Sequence, residues 1–311
     1  MKNTKTKGNL MLILTAFIWG IAFIAQSVGV ETLSANTFNG VRSMLGGIGL
    51  IPVILILDAN KKKNGITVPK PNKTLLFGGI ICGIFLCAAS TVQTAAMAYT
   101  SPGKAGFITA LYMILVPIIS VFAGKKITYL NIISVVVATL GLYLICVTDG
   151  FGSINKGDIM LFICALLFSF HIMAVDYFSP KTDGVRLSCI QFFVCGVINL
   201  TWAFIFDKPQ IKPILDCWIP ICYAGFFSCG IAYTLQIVGQ KYTDPTSASI
   251  LMSMESVFSM LATVVLVACG FNLTGGALTA REIFGCVLMF CAIILVQLPD
   301  KKKTAAQSKQ A

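Results

Sequence analysis

A carboxylate, Glu255, stands in the middle of an apolar stretch long enough to cross a membrane, SASILMSMESVFSMLATVVLVAC (247–269). An ionised side chain in hydrocarbon costs about 2.5 kcal/mol or more, so such residues face a partner or a wet cavity. At helical spacing Glu255 borders a stripe of hydroxyl residues, made of Ser249, Ser253, Ser256, Ser259 and Thr263. The stripe indicates either close helix packing or a polar lining. For Glu255 three roles stay open: reversible protonation, binding of an ammonium group on a solute, and a fixed structural pair.

A cation, Arg42, lies in a second apolar stretch, NTFNGVRSMLGGIGL (36–50). It lies about 10 Å below the nearer end of that stretch at 1.5 Å per residue. Its side chain either extends to the membrane interface or, together with Asn36 and Asn39, lines a polar cavity.

Amide and aromatic side chains add to this set. Gln93 lies in one apolar segment, and Gln236 shares a helical face with Tyr233 in another. Buried amides need partners, so they indicate either hydrogen bonds between helices or donors and acceptors for a polar solute. Trp19 falls in the middle of its segment, where it either stacks on a solute or packs in the core.

Residues for metal or hydrolytic chemistry are scarce. The chain has 12 Cys, none in a Cys-x-x-Cys pair, and one His, His171. We therefore predict no metal site, no cofactor and no catalytic residues. A membrane enzyme or lipid-handling protein remains the alternative class.

The elements that must position these residues are membrane helices. The composition is 57% hydrophobic and 11% charged, with a mean hydropathy of +0.86, whereas soluble domains carry roughly 25% charged residues. Continuous apolar runs of about 20 residues indicate helices that cross a membrane. We predict ten spans, at about 8–28, 35–57, 74–98, 103–123, 128–147, 158–178, 187–206, 215–240, 246–269 and 281–298.

The charges predict orientation. If the N-terminus is cytoplasmic, 17 Lys and Arg fall on the cytoplasmic side and five on the outer side. This bias follows the positive-inside rule and puts both termini inside. It also explains the net charge of +11 without nucleic acid as a partner. The predicted location is the cell membrane, as in a bacterial inner membrane.

The chain also repeats itself. A shift of 143 places TVQTAAMAYTSPGKA (91–105) over TLQIVGQKYTDPTSA (234–248) with six identities in fifteen positions, and it aligns Gln93 with Gln236. A shift of 149 places GNLML (8–12) over GDIML (157–161). Five spans is an odd number, so the second half would enter from the opposite side. We predict two inverted repeats, 1–148 and 157–299, followed by a polar cytoplasmic tail, 300–311.

Three motifs resemble the drug/metabolite transporter superfamily in its EamA-like branch. They are AFIWGIAF (16–23), YTSPGKAGFITALYMILVPIIS (99–120) and YTDPTSASILMSMESVF (242–258). Where that family often has Glu-Pro-Val-Phe in the ninth span, this chain has Ser256 after Glu255, so a proline kink is not expected there. The Gly-Glu that often ends spans four and nine is also absent.

The resemblance implies a secondary transporter of small metabolites, amino-acid-like or drug-like, that exports its solute by alternating access. Its site would be a central cavity between the repeats. We expect that cavity to hold the polar and aromatic residues already considered, together with one tyrosine of the fourth-span motif: Glu255, Arg42, Gln93, Gln236, Trp19, Tyr112, Tyr233, Ser253 and Ser256. The expected partners are a small solute and membrane lipid, with protons as a candidate coupling ion. The oligomeric state, the solute and the coupling ion stay open.

Overall fold

The computed structural model describes residues 2–68, 70–99, 102–125, 127–146, 155–270 and 279–298. These residues form an all-helical bundle, as hydrocarbon requires of a chain that must bond its own backbone groups. The helices are α1 (Lys2–Thr32), α2 (Ala35–Lys63), α3 (Lys73–Ala96), α4 (Pro102–Ala110), α5 (Tyr112–Phe122), α6 (Tyr129–Cys146), α7 (Lys156–Phe178), α8 (Gly184–Trp202), α9 (Ile211–Asp216), α10 (Trp218–Cys222), α11 (Thr234–Gln240), α12 (Pro245–Met252), α13 (Glu255–Ala268) and α14 (Ala280–Gln297). Wider π-helical turns continue α8 over Ala203–Asp207 and join α10 to α11 over Tyr223–Tyr233.

Nine helical stretches of the described residues are long and apolar enough to cross a membrane. They are Thr4–Thr32, Ala35–Lys63, Lys73–Ala96, Ala105–Phe122, Lys156–Lys181, Gly184–Asp207, Trp218–Gln240, Pro245–Ala268 and Ala280–Gln297. The fifth predicted span corresponds to α6, whose apolar part, Tyr129–Ile145, is shorter than these. The prediction of a multi-pass helical membrane protein is confirmed. The predicted tail, 300–311, lies outside the described residues.

Two spans are interrupted near their middle. The fourth breaks at Leu111, between α4 and α5, and the ninth breaks at Ser253 and Met254, between α12 and α13. At both breaks a backbone hydrogen bond spans three residues instead of the four of an α-helix. The N–H of Leu111 donates to the carbonyl of Ile108, and the N–H of Met254 donates to the carbonyl of Leu251. Leu111 and Met254 are 143 positions apart, which is the shift of the repeat.

The expectation concerned only a proline kink, and the ninth span has no proline at this point. Its helix is nevertheless interrupted between Met252 and Glu255. The hydroxyl of Ser253 donates to the carbonyl of Ile250 at 2.8 Å, and this kind of back-bonding bends helices. Glu255 becomes the first residue of a new helix, so its carboxylate lies at the positive end of the α13 dipole.

Helices from the two halves of the chain pack against each other in pairs. Helix α2 packs on α8, α6 on α14, α3 on α7, and α1 on α11 and α13. The α6 and α14 backbones meet at Gly141 and Gly285, where a Cβ on either glycine would lie 2.7 Å from the carbonyl oxygen of the other. Small residues permit this approach, and close packing is a main source of helix association in membranes.

The α2–α8 pair is also held at both ends by polar contacts. Where α2 ends, Lys61 pairs with Asp183 at 3.1 Å and Arg186 pairs with Asp58 at 2.5 Å. At the opposite end of the pair, the carboxylate of Asp207 accepts hydrogen bonds from two residues that begin α2. These are Ser34 at 2.5 Å and Asn36 at 3.1 Å.

Candidate functional site

A central cavity lies between the two halves of the chain. It is nearly closed, with a free volume of only about 30 Å³, and is bounded by the middle parts of helices from both halves. The side chains approach closely across this space, so a metabolite would enter only if the walls separate. Cavities between helices that combine apolar walls with a few convergent polar groups are typical solute sites.

Seven of the nine predicted site residues line this cavity: Trp19, Arg42, Gln93, Tyr112, Tyr233, Gln236 and Glu255. The two serines do not line it. Ser253 donates to a carbonyl of its own helix, and Ser256 donates to the carbonyl of Gly106 at 3.4 Å. Both hydroxyls are thus bound to backbone, one at the helix break and one at the contact with α4.

Glu255 and Tyr112 meet across the cavity. The Tyr112 hydroxyl donates to Oε1 of Glu255 at 3.0 Å, and both residues are buried, with 3% of Tyr112 and 4% of Glu255 exposed. Each begins the second half of an interrupted span, and the two positions are 143 residues apart. Among the described residues Glu255 has no cationic partner, so a neutral phenol is its hydrogen-bond donor.

Arg42 is buried in the wall of the same cavity, with 3% of its surface exposed. Its side chain is enclosed by the helices and is not exposed at the surface of the bundle. Its guanidinium carbon lies 5.5 Å from the centre of the Phe38 ring, and its Nε has no hydrogen-bond partner. No ion pair or hydrogen bond joins Arg42 to another described residue. A buried unpaired cation is costly, so this position favours an anionic group on a solute.

The side-chain amides of the cavity form some, but not all, of the hydrogen bonds available to them. Gln93 donates to Thr109 at 3.4 Å, Gln236 donates to Gln240 at 2.9 Å, and Gln240 donates to the carbonyl of Ile172 at 3.1 Å. The Oε1 of Gln236 is buried and has no partner. Gln236 therefore has an acceptor left over for a donor on a solute.

Aromatic rings form the apolar part of the wall. Trp19 packs against Tyr233 with ring centroids 4.6 Å apart, and Tyr233 also contacts the ring of Phe192 edge to face at 5.5 Å. The indole Nε1–H of Trp19 is buried without an acceptor. Trp19 thus packs in the core and at the same time offers a donor to the cavity.

Sequence reasoning missed seven further lining residues: Phe23, Gln26, Thr109, Phe168, Ile172, Ser228 and Met252. The repeat would have found several of them. A shift of 149 places Trp19 on Phe168 and Phe23 on Ile172, and a shift of 143 places Thr109 on Met252. Gln26, a polar residue in an apolar run, carried a direct signal; its Oε1 lies 3.4 Å from the hydroxyl of Thr94.

The described residues contain no group of three or more His, Cys, Asp or Glu that could hold a metal ion. His171 is fully buried, and its Nε2 lies 3.2 Å from Oε1 of Gln191. It does not line the cavity.

The sequence profile of the EamA-like transporter family matches residues 6–147 and again residues 155–298. An uncharacterized transporter of Archaeoglobus fulgidus is 28% identical over 291 residues, which cover 93% of this chain and 85% of the relative. The uncharacterized inner membrane transporter YedA of Escherichia coli K12 is 22% identical, with 90% of this chain and 87% of the relative covered. A solved crystal structure superimposes with a TM-score of 0.73 at 18% identity, covering 94% of this chain and 96% of that one, and shows the same fold.

Proposed function

Because the chain belongs to the EamA-like transporter family and is a multi-pass membrane transporter of small solutes, we propose that it exports amino-acid-like solutes by alternating access. One observation carries this proposal. The central cavity contains a buried cation, Arg42, and a buried carboxylate, Glu255, and neither forms an ion pair with another described residue. A zwitterionic solute would supply both missing partners.

The recognition chemistry assigns each end of the solute to one group. The guanidinium of Arg42 binds a carboxylate through paired hydrogen bonds. Glu255 binds the ammonium group, with the buried Oε1 of Gln236 as a further acceptor. Phe168, Ile172 and Met252 provide apolar contact for the remainder of the solute.

Alternating access between two inverted repeats is the transport mechanism that we propose. Residues 1–148 and 157–299 would be the repeats, with both termini cytoplasmic. Three observations support it: the two separate matches to the family, the packing of helices from one half on the other, and the matching helix breaks at Leu111 and Met254. Because side chains fill most of the cavity, a bound solute requires the halves to move apart on one side.

The export direction and proton coupling belong to the same proposal. Glu255 would take up a proton when the cavity faces outward and lose it toward the cytoplasm. The neutral Tyr112 hydroxyl supports this role, because it can donate to the ionised carboxylate at 3.0 Å without fixing its charge as a lysine or arginine would.

The test is transport in proteoliposomes with three matched solutes. These are an amino acid, the amine that lacks its carboxylate and the acid that lacks its ammonium group. We expect Arg42→Gln to weaken apparent affinity for the amino acid about tenfold or more while sparing the amine. Glu255→Gln should weaken affinity for the amino acid and spare the acid.

Two exposed charged residues provide the controls. Lys212→Gln and Glu31→Gln remove the same charges outside the cavity, and both should leave affinity unchanged. Equal losses for all three solutes in Arg42→Gln would contradict a role for Arg42 as the carboxylate site. Absence of amino-acid transport by the native protein would refute the proposed solute class.

A further inference from the structure

A second cavity, which we call the basic end cavity, lies at the end of the bundle where α2 ends. It has a volume of about 510 Å³ and opens to the surrounding medium. The ends of α2 and α11, the start of α3 and the segment between α7 and α8 form its walls. Five cationic side chains line it, Lys61, Lys70, Lys181, Arg186 and Lys241, with Asp183 as the carboxylate in its lining.

Carboxylates of the protein form ion pairs with only some of these cations. Asp183 pairs with Lys61 at 3.1 Å and accepts from the backbone N–H of Arg186 at 3.2 Å. Burial by itself would raise the pKa of Asp183, but these hydrogen bonds and the nearby cations outweigh burial and lower the pKa below its usual value. Asp183 is therefore an ionised group that is already engaged. Arg186 also pairs with Asp58 at 2.5 Å.

Three lysines of the cavity have no carboxylate partner among the described residues. Within the described part of the chain, Lys70, Lys181 and Lys241 form no ion pair, and Lys181 instead lies with its Nζ 3.0 Å from the centre of the Tyr177 ring. All three are exposed at the rim. The basic end cavity thus carries positive charge that the protein leaves available.

Two helix N-termini add to this potential. Helix α3 begins after Asn72 and α8 begins after Asp183, and both capping residues line the cavity. Each cap side chain accepts from one amide, Leu75 N–H and Arg186 N–H respectively. The other first-turn amides have no partner inside the helix, and the positive ends of both dipoles lie at the same cavity.

We propose that the basic end cavity binds a phosphate group, carried by an acidic phospholipid headgroup or free in solution. A phosphate offers several acceptor oxygens and up to two negative charges, which match lysines and free amides together. Apolar side chains also line the cavity, among them Leu57, Leu75 and Ile237. These side chains would contact the glycerol and upper acyl part of a lipid, whereas free phosphate would use only the polar groups.

The experiment compares two triple variants of the full chain. Lys70→Gln, Lys181→Gln and Lys241→Gln together remove the three available cations and break no ion pair. The control removes Lys7, Lys62 and Lys63 by the same change; these exposed residues lie outside the cavity and, in the predicted topology, on the same side of the membrane. Both triple variants lose three positive charges, so any effect of charge on membrane orientation is the same in both.

Binding is measured with two probes. Native mass spectrometry compares retained phosphatidylglycerol with phosphatidylcholine, and thermal unfolding in detergent compares inorganic phosphate with chloride at equal ionic strength. We expect the cavity triple variant to lose phosphatidylglycerol retention at least about tenfold, while the control keeps it. Loss confined to phosphatidylglycerol supports a lipid source, and loss confined to phosphate-induced stabilisation supports a soluble one.

A single pair of variants, Lys241→Glu and Lys62→Glu, repeats the comparison if the triple variants express poorly. Equal losses in cavity and control variants would overturn the proposal, because general surface charge would then explain binding. Native protein that shows no preference for either phosphate-bearing probe would overturn it as well.

Discussion

Glu255 and Tyr112 form a hydrogen bond inside the central cavity. The two side chains come from different halves of the chain and meet at 3.0 Å where both spans are interrupted. A salt bridge would fix the charge of the carboxylate, whereas a phenol leaves it free to change. This arrangement supports the proposed role of Glu255 in the transport cycle.

Glu255→Gln keeps the shape of the side chain and removes its titration. If protons drive export, an acidic exterior increases net export by the native protein, and the variant should lose this dependence while solute exchange between loaded vesicles persists. Export and exchange measured at several external pH values test this, with Glu31→Gln as the control. A Gln variant with unchanged pH dependence and unchanged affinity would leave the carboxylate without a role in the cycle.

Arg42 provides a second prediction at this scale, because it lines the cavity on the side toward the start of α2. In a background without native cysteines, Arg42→Cys should react with a membrane-impermeant thiol reagent added outside, and solute should slow the reaction severalfold. Ser169→Cys is the control, since Ser169 is fully buried and does not line the cavity. If Arg42→Cys is labelled as slowly as Ser169→Cys, position 42 is not accessible from outside and Arg42 has a structural role between helices.

At the scale of elements, the contact between α6 and α14 depends on the absence of side chains. A methyl group at Gly141 would lie 2.7 Å from the carbonyl oxygen of Gly285, whereas one at Gly230 has no neighbour nearer than 3.6 Å. Gly141→Ala should therefore lower stability by about 1–3 kcal/mol, and Gly230→Ala should leave it unchanged or slightly higher. Thermal unfolding in detergent measures both. Equal melting temperatures for the two variants would mean that the close contact between α6 and α14 does not contribute to stability.

For the whole molecule, the central prediction concerns topology. A reporter fused after Asp149 should signal from the outside and one fused after Lys126 from the inside, because the fifth span separates them. Both junctions lie outside the described residues. Fusion in the Lys61–Lys63 segment should also report the inside, as a positive-inside control. The same side at Asp149 and Lys126 would remove the fifth span and with it the inverted repeat.

The sequence alone determined the class of protein and half of the residues that line the cavity. Apolar runs of spanning length permit only helices in hydrocarbon, and isolated polar residues within them, such as Glu255, Arg42 and Gln236, face the interior because lipid excludes them. Phe168 and Ile172 carried no such signal, because an apolar residue is equally suited to lipid, core or cavity. They belong to the cavity only because α7 packs against α3 and α5, which supply Gln93 and Tyr112 to the same cavity.

Only the tertiary structure decided which polar groups satisfy one another. Ser253 belongs to the same helical stripe that Glu255 borders, yet its hydroxyl bonds to Ile250 and interrupts the helix, while Glu255 reaches Tyr112. Helical periodicity fixes the direction of a side chain but not the distance to a partner 143 residues away. That distance depends on how two spans cross, and the crossing follows from side-chain packing between helices that are far apart in the chain.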